Sequence, residues 1–331
     1  MRAWELRKGD CVELFAGAGG AALGLEAAGF SHLACIEYDA DACATLRAAG
    51  LPCVEGDVRD PDLYESEWVG CGLLWASFPC QAWSTAGKRE GAKDERNGWP
   101  WTVDAIDRLE PEWFAAENVT GLLTHRGGCA SRCLGPEECP RAYFDNVILA
   151  QLRERFAWVG FRVLNASSFG VPQHRRRVII VAGPHAIEWP EPTHGRPSGQ
   201  GDLFGRGLLP WRVPDWLDRP SPTVTTAEEK GTRGESMSGR TRAGKKRGGP
   251  DRASDALYLA TGRRRLPVEE CSTLQGFPVG HPFQGTKSAQ YRQVGNAVPP
   301  KLAEVVGRQI PAAAANDDNY HAPLAGEEPA A

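Results

Sequence analysis

Cys11-Val12-Glu13-Leu14-Phe15-Ala16-Gly17-Ala18-Gly19-Gly20 reads as a buried strand that runs straight into a turn which only glycines make comfortably. Ala21 to Ala28 continues as a helix that Gly29 ends. Leu33-Ala34-Cys35-Ile36 is the next strand and Asp39 to Ala49 the next helix. This β-α-β order predicts an α/β fold with a parallel sheet and right-handed crossovers. Further strands are expected at 72–77, 113–116 and 177–181, and helices at 102–109 and 143–156. From about 184 to 265 the alternation fails, and Pro, Gly and charge dominate. Periodicity returns at Pro267–Gln275 and Pro299–Ile310.

The expected organisation is therefore a main domain at 1–183 with an insertion at 124–142, a small irregular region at 184–265, a returning segment at 266–311, and a disordered tail at 312–331. The chain has 331 residues, 41% of them hydrophobic, enough for a real core. No apolar run is long enough to span a bilayer, and the first residues are too charged for a signal peptide. Ten cysteines without secreted disulfide spacing point to a reducing cytoplasm. The net charge is -4, but residues 230–265 carry eleven Lys or Arg against Glu235, Asp251 and Asp255. That local excess reads either as a solvated loop or as a phosphate-binding one.

Several residues fall at strand ends, where a parallel sheet places its chemistry. The glycine turn opens a helix whose N–H groups attract carboxylate or phosphate groups. Glu37 ends the second strand, where carboxylates often bind ribose hydroxyls, and Asp57 follows the third and can accept from an adenine amino group. Phe78-Pro79-Cys80-Gln81 closes another apolar run, so Cys80 is a thiol at a strand end before a polar, Gly-punctuated loop. Glu117-Asn118-Val119 ends the strand that follows. In Gln173-His174-Arg175-Arg176-Arg177, an extended backbone puts Gln173, Arg175 and Arg177 on one face.

These stretches, taken in order, resemble the cytosine-C5 DNA methyltransferases. The resemblance continues through Arg219-Pro220-Ser221-Pro222-Thr223-Val224-Thr225, Leu274-Gln275-Gly276-Phe277-Pro278 and Gln293-Val294-Gly295-Asn296-Ala297-Val298-Pro299-Pro300, so it covers almost the whole chain. It implies a Rossmann-like, S-adenosylmethionine-dependent methyltransferase sheet with a small irregular target-recognition region. It further implies methylation of cytosine C5 in a specific sequence of double-stranded DNA, within restriction-modification, by a bacterial or phage-encoded cytoplasmic monomer. Cys80 would attack C6 of a flipped base, Glu117 would serve N3, Arg177 would hold O2, and Arg175 would steady the cysteine region or a phosphate. Phe15, Gly17, Gly19, Glu37, Tyr38, Asp57, Pro79, Asn296 and Val298 would line the cofactor pocket, with Tyr38 stacking on the adenine. Ser84, Lys88 and Arg89 would sit on a lid over the DNA, and Lys245, Lys246 and Arg247 would meet its phosphates.

The interval of about 184–218, where the family carries its recognition region, is short here and holds few basic residues. The insertion holds His125, Cys129, Cys133 and Cys139, which can bind zinc tetrahedrally or be incidental thiols, since no Cys-x-x-Cys is present. A tRNA cytosine-C5 methyltransferase and a non-catalytic S-adenosylmethionine-binding DNA-binding module are the competing readings.

Overall fold

The structure, a computed structural model, describes residues 9–79, 97–125, 135, 139–195, 209–210, 221, 223–224 and 266–311. Cys80, Ser84, Lys88, Arg89, Cys129, Cys133, Lys245, Lys246 and Arg247 lie outside the described residues, as do residues 230–265 and the tail from 312.

The opening stretch forms β1 (Asp10–Leu14), the glycine turn and α1 (Gly20–Ala27). β2 (Ser31–Glu37), α2 (Ala40–Ala48) and β3 (Cys53–Glu55) complete the first half. Asp39 caps α2, its carboxylate accepting from Asp41 N and Ala42 N at 3.1 Å each. β4 (Leu73–Ala76), α3 (Trp99–Leu109) and β5 (Trp113–Val119) follow. The helix expected at 143–156 runs as α4 (Pro140–Tyr143), a π turn at Phe144–Ile148, and α5 (Leu149–Arg155). β6 (Trp158–Asn165) and β7 (Arg176–Gly183) end the sheet. A small parallel pair, β8 (His194–Gly195) and β9 (Leu209–Pro210), stands apart from it. The chain returns through α6 (Val268–Gln275), α7 (Lys287–Asn296) and α8 (Pro300–Gly307).

Among the described residues the main sheet has seven strands in the order β3-β2-β1-β4-β5-β7-β6. The first five run parallel, as the β-α-β pattern predicts. β7 is antiparallel to both β5 and β6. Ten residues join β6 to β7, too few for a crossover helix, so the chain can only turn back on itself. β6 escaped the sequence reading because Trp158-Val159-Gly160-Phe161-Arg162 is only partly buried and lacks clean alternation. α7 escaped it because its residues are mostly polar, although Thr286 caps it by accepting from Ala289 N at 3.2 Å.

Each face of the sheet buries its own cluster. Val12, Leu14, Ile36, Phe114 and Ile180 pack under α3 and the α4–α5 helices. Leu73, Trp75, Trp113, Ile179 and Val181 pack under α1 and α8. α1 and α8 touch through glycine: a Cβ on Gly24 would stand 2.1 Å from Pro300 O, and one on Gly20 2.2 Å from Val298 O. This contact brings residues 296–298 onto the glycine turn. Residues 184–195, where the second region is expected to begin, touch the main domain. Ile187 and Trp189 join the α1-side cluster, and Thr193 N donates to Ser168 O at 2.8 Å.

Candidate active site

A cavity of about 310 Å³ opens over the carboxyl ends of β1, β2, β4 and β5. Phe15, Gly17, Glu37, Tyr38, Pro79, Glu117, Arg175, Arg177, Asn296 and Val298, all candidates from the sequence, line it. Gly19 shapes the turn as the residue before α1, with φ 80°.

The floor of one end is the turn after β1. Phe15 and Gly17 take the left-handed backbone at φ 57° and 56°. That conformation is uncommon for an aromatic residue and costs on the order of 1–3 kcal/mol. The space a Cβ on Gly17 would occupy is open to 4 Å, so a ligand can approach the backbone there. Glu37 organises this end. Its Oε2 accepts from Gly17 N at 2.8 Å, and its Oε1 accepts from Tyr38 N and Asp39 N at 2.9 and 2.8 Å. Burial pushes its carboxyl above the ordinary range, and these amides pull it back. One lone pair of Oε2 stays available for a hydroxyl. Tyr38 stands at the rim, 73% exposed, with its ring face open among the described residues. Arg292 of α7 donates to Asp39 Oδ2 at 2.9 Å across the same rim.

Asp57 is not brought to this cavity. It lies past β3 with its carboxylate held by Arg59, whose Nε donates to both oxygens at 2.9 Å and holds the carboxyl below its usual range.

The other end is built from β4, β5 and β7. Asn118, buried at the end of β5, donates from Nδ2 to Phe78 O at 3.2 Å. Phe78 stacks edge-on against Trp99 with centroids 5.4 Å apart. These two contacts hold the Phe78-Pro79 segment that leads into Cys80. Gly98 makes room for it: a Cβ there would lie 2.5 Å from Pro79 Cδ and 3.1 Å from Phe78 Cβ. Asn118 belongs to the quoted Glu117-Asn118-Val119 stretch but was given no role from the sequence, and nothing local marks Gly98.

Arg177 Nε stands 2.6 Å from Glu117 Oε1, with the two side chains 11% and 9% exposed. The approach is out of line for a hydrogen bond, so the contact is ionic. The expected alternation holds: Gln173 and Arg175 are buried, while His174 and Arg176 are exposed. Arg175 points at the cavity, yet its terminal nitrogens donate to Val224 O at 3.1 Å and Gly295 O at 3.0 Å. It therefore ties β7 to two distant segments and positions them, rather than presenting its charge to a phosphate. Gln173 does the same through a buried amide relay, giving hydrogen bonds to Leu274 O and Gln275 Oε1 and taking one from Val224 N. In the insertion, Cys139 Sγ lies 3.7 Å from His125 Nδ1.

The cavity fits S-adenosylmethionine: an open glycine turn at a helix start for the methionine carboxylate, a buried glutamate for the ribose, and an exposed aromatic ring at the rim. At the other end Asn118 couples the strand bearing Glu117 to the segment before Cys80.

The comparisons agree with this geometry. The family model described as "C-5 cytosine-specific DNA methylase" matches residues 9–200 and 215–312. The Type II methyltransferase M.NaeI of Lentzea aerocolonigenes is 35% identical over 92% of this chain and 75% of its own length. The Type II methyltransferase M.NgoMIV of Neisseria gonorrhoeae is 34% identical over 90% and 96%. Among solved structures, a putative DNA modification methyltransferase encoded within an E. coli prophage shares the fold. It has a TM-score of 0.54 at 19% identity, over 91% of this chain and 97% of that one. The S. pombe Dnmt2 methyltransferase shares it with a TM-score of 0.57 at 15% identity, over 93% and 99%. A parallel sheet reversed at β7, a cavity suited to S-adenosylmethionine and a family match along most of its length place this chain among the C-5 cytosine-specific DNA methylases, enzymes of the DNA cytosine-5-methyltransferase type.

Proposed function

We propose that the chain methylates C5 of cytosine in a specific sequence of double-stranded DNA, through a covalent bond from Cys80 to C6 of a base flipped into the cavity. The observation that carries this reading is the Asn118–Phe78 hydrogen bond, which fixes the segment before Cys80 beside the Glu117–Arg177 pair. Cytosine C5 is a poor nucleophile. Addition of the Cys80 thiolate at C6 moves electron density into the ring and makes C5 enamine-like. Glu117 meets the N3 edge with a proton, and Arg177 holds O2 as negative charge develops. S-adenosylmethionine supplies the electrophilic methyl group that C5 takes. Removal of the C5 proton then expels Cys80 as thiolate. Ser84, Lys88 and Arg89 close over the DNA, and Lys245, Lys246 and Arg247 meet its phosphates.

The test is methyl transfer to duplex DNA and to tRNA in parallel, with bisulfite sequencing of DNA from cells expressing the chain. Methylated cytosines in one DNA sequence context are expected. Transfer to tRNA alone would establish the RNA reading, and transfer to neither the non-catalytic one.

No helix among the described residues is long and apolar enough to cross a membrane.

Two further results are expected. Glu37→Ala should weaken S-adenosylmethionine binding by roughly tenfold or more, since a hydrogen bond to a charged group contributes about 1.5–3 kcal/mol. Asp57→Ala should cost less, because Arg59 already holds that carboxylate away from the cavity lining. Calorimetric titration decides, and equal losses would put Asp57 at the ligand. Gly98→Ala should lower both turnover and cofactor affinity, because the new methyl would stand 2.5 Å from Pro79 Cδ and 3.2 Å from Phe15 Cζ, both in the cavity lining. Overpacking of this kind costs about 1–3 kcal/mol of stability. Steady-state kinetics beside a thermal melt measure both, and unchanged turnover would show that Pro79 yields freely.

A further inference from the structure

A β-bulge in the first strand pair gathers three metal-ligating side chains on one face. Cys11 pairs with His32 and Val12 with Ala34, so Leu33 is the extra residue, and Glu13 then pairs with Cys35. His32 and Cys35 are three apart, and in a regular strand they would face opposite sides of the sheet. The bulge cancels that, and re-aiming a side chain is what such bulges do. His32 Nε2 stands 3.6 Å from Glu13 Oε2, with those side chains 0% and 1% exposed. The Glu13, His32 and Cys35 ligand atoms all lie within 4.8 Å of one another.

Among the described residues, Glu13 Oε2 and both ring nitrogens of His32 have no hydrogen-bond partner. Buried polar atoms are nearly always satisfied, so this group calls for something that satisfies all three at once. Carboxylate, imidazole and thiolate together suit a borderline-soft divalent ion. Donor atoms around a tetrahedral zinc stand about 3.3–3.8 Å apart, given bonds of about 2.0–2.3 Å. The Glu13–His32 spacing already falls in that range. Glu13 also lines the cofactor cavity.

We propose that Glu13, His32 and Cys35 bind a divalent transition-metal ion of the zinc class, which clamps β1 to β2 beneath the cofactor cavity. The clamp sits directly behind the glycine turn, so its effect is to hold that turn and Glu37 in register.

The test loads the full chain with zinc, removes free ion by desalting, and compares metal content in wild type, Cys35→Ser and His32→Gln. Wild type is expected to keep about one ion per chain more than either variant. With cobalt in place of zinc, wild type should show a sulfur-to-cobalt charge-transfer absorption. That band should vanish in Cys35→Ser and persist in Cys139→Ser, which separates this cluster from the His125–Cys139 pair. Wild type holding no more metal than Cys35→Ser would overturn the proposal and leave a buried Glu13–His32 pair beside a neutral thiol. If the variants fail to fold, the cobalt spectrum of wild type still decides, because a loaded chain without the thiolate band also overturns it.

Discussion

Cys80→Ser is expected to stop methyl transfer while S-adenosylmethionine binding survives. The loss should be roughly a thousandfold or more in turnover, the scale on which removal of a catalytic nucleophile registers. Serine is nearly the size of cysteine, so the packing of Pro79 against Gly98 is undisturbed. Its hydroxyl, unlike a thiol, has almost no anionic form at neutral pH and cannot add to C6 at a useful rate. Cofactor binding should persist because the glycine turn, Glu37 and Tyr38 sit on β1 and β2, at the other end of the cavity. Transfer of labelled methyl to duplex DNA, beside a calorimetric titration, gives both readouts. Turnover within tenfold of wild type would remove Cys80 from the mechanism.

Glu117→Gln has the second-largest expected effect, a loss of about 10²- to 10⁴-fold in the methyl-transfer step. The amide keeps the shape and can still meet N3, but it has no proton to transfer as charge develops on the ring. It also leaves Arg177 without its counter-charge in a nearly closed position. For that reason the single-turnover rate is measured together with a melt and with cofactor affinity. A rate loss with intact affinity and a small shift in melting supports a role in the reaction. A parallel fall in all three would reduce Glu117 to the buried partner of Arg177.

The parts that were legible in the sequence are those set by neighbours along the chain. The β1–α1 turn was legible because the left-handed backbone at Gly17 and Gly19 is a local demand that glycine meets. The alternation through Gln173 to Arg177 was legible because an extended backbone sends successive side chains to opposite faces. Glu37 could be placed because it ends a strand beside that turn, and its carboxylate does close onto Gly17 N.

What only the tertiary structure decided depends on partners far away in sequence. β7 reverses because β6 reaches it through a connection too short to cross over, and β6 itself carries too weak a pattern to announce itself. Arg175 reads from the sequence as steadying the cysteine region or a phosphate, and the carbonyls that take its guanidinium lie 49 and 120 residues away, where no local pattern encodes them. Asp57 reads from the sequence as an adenine acceptor, and in the structure Arg59, two residues along, holds its carboxylate in an exposed pair. The grouping of Glu13 with His32 and Cys35 rests on a one-residue bulge, and strand register is fixed by the pairing of two strands, not by either strand alone. Local geometry thus sets where the cofactor turn and the strand ends fall along the chain, and long-range pairing decides which of the charged groups at those ends remain available for chemistry.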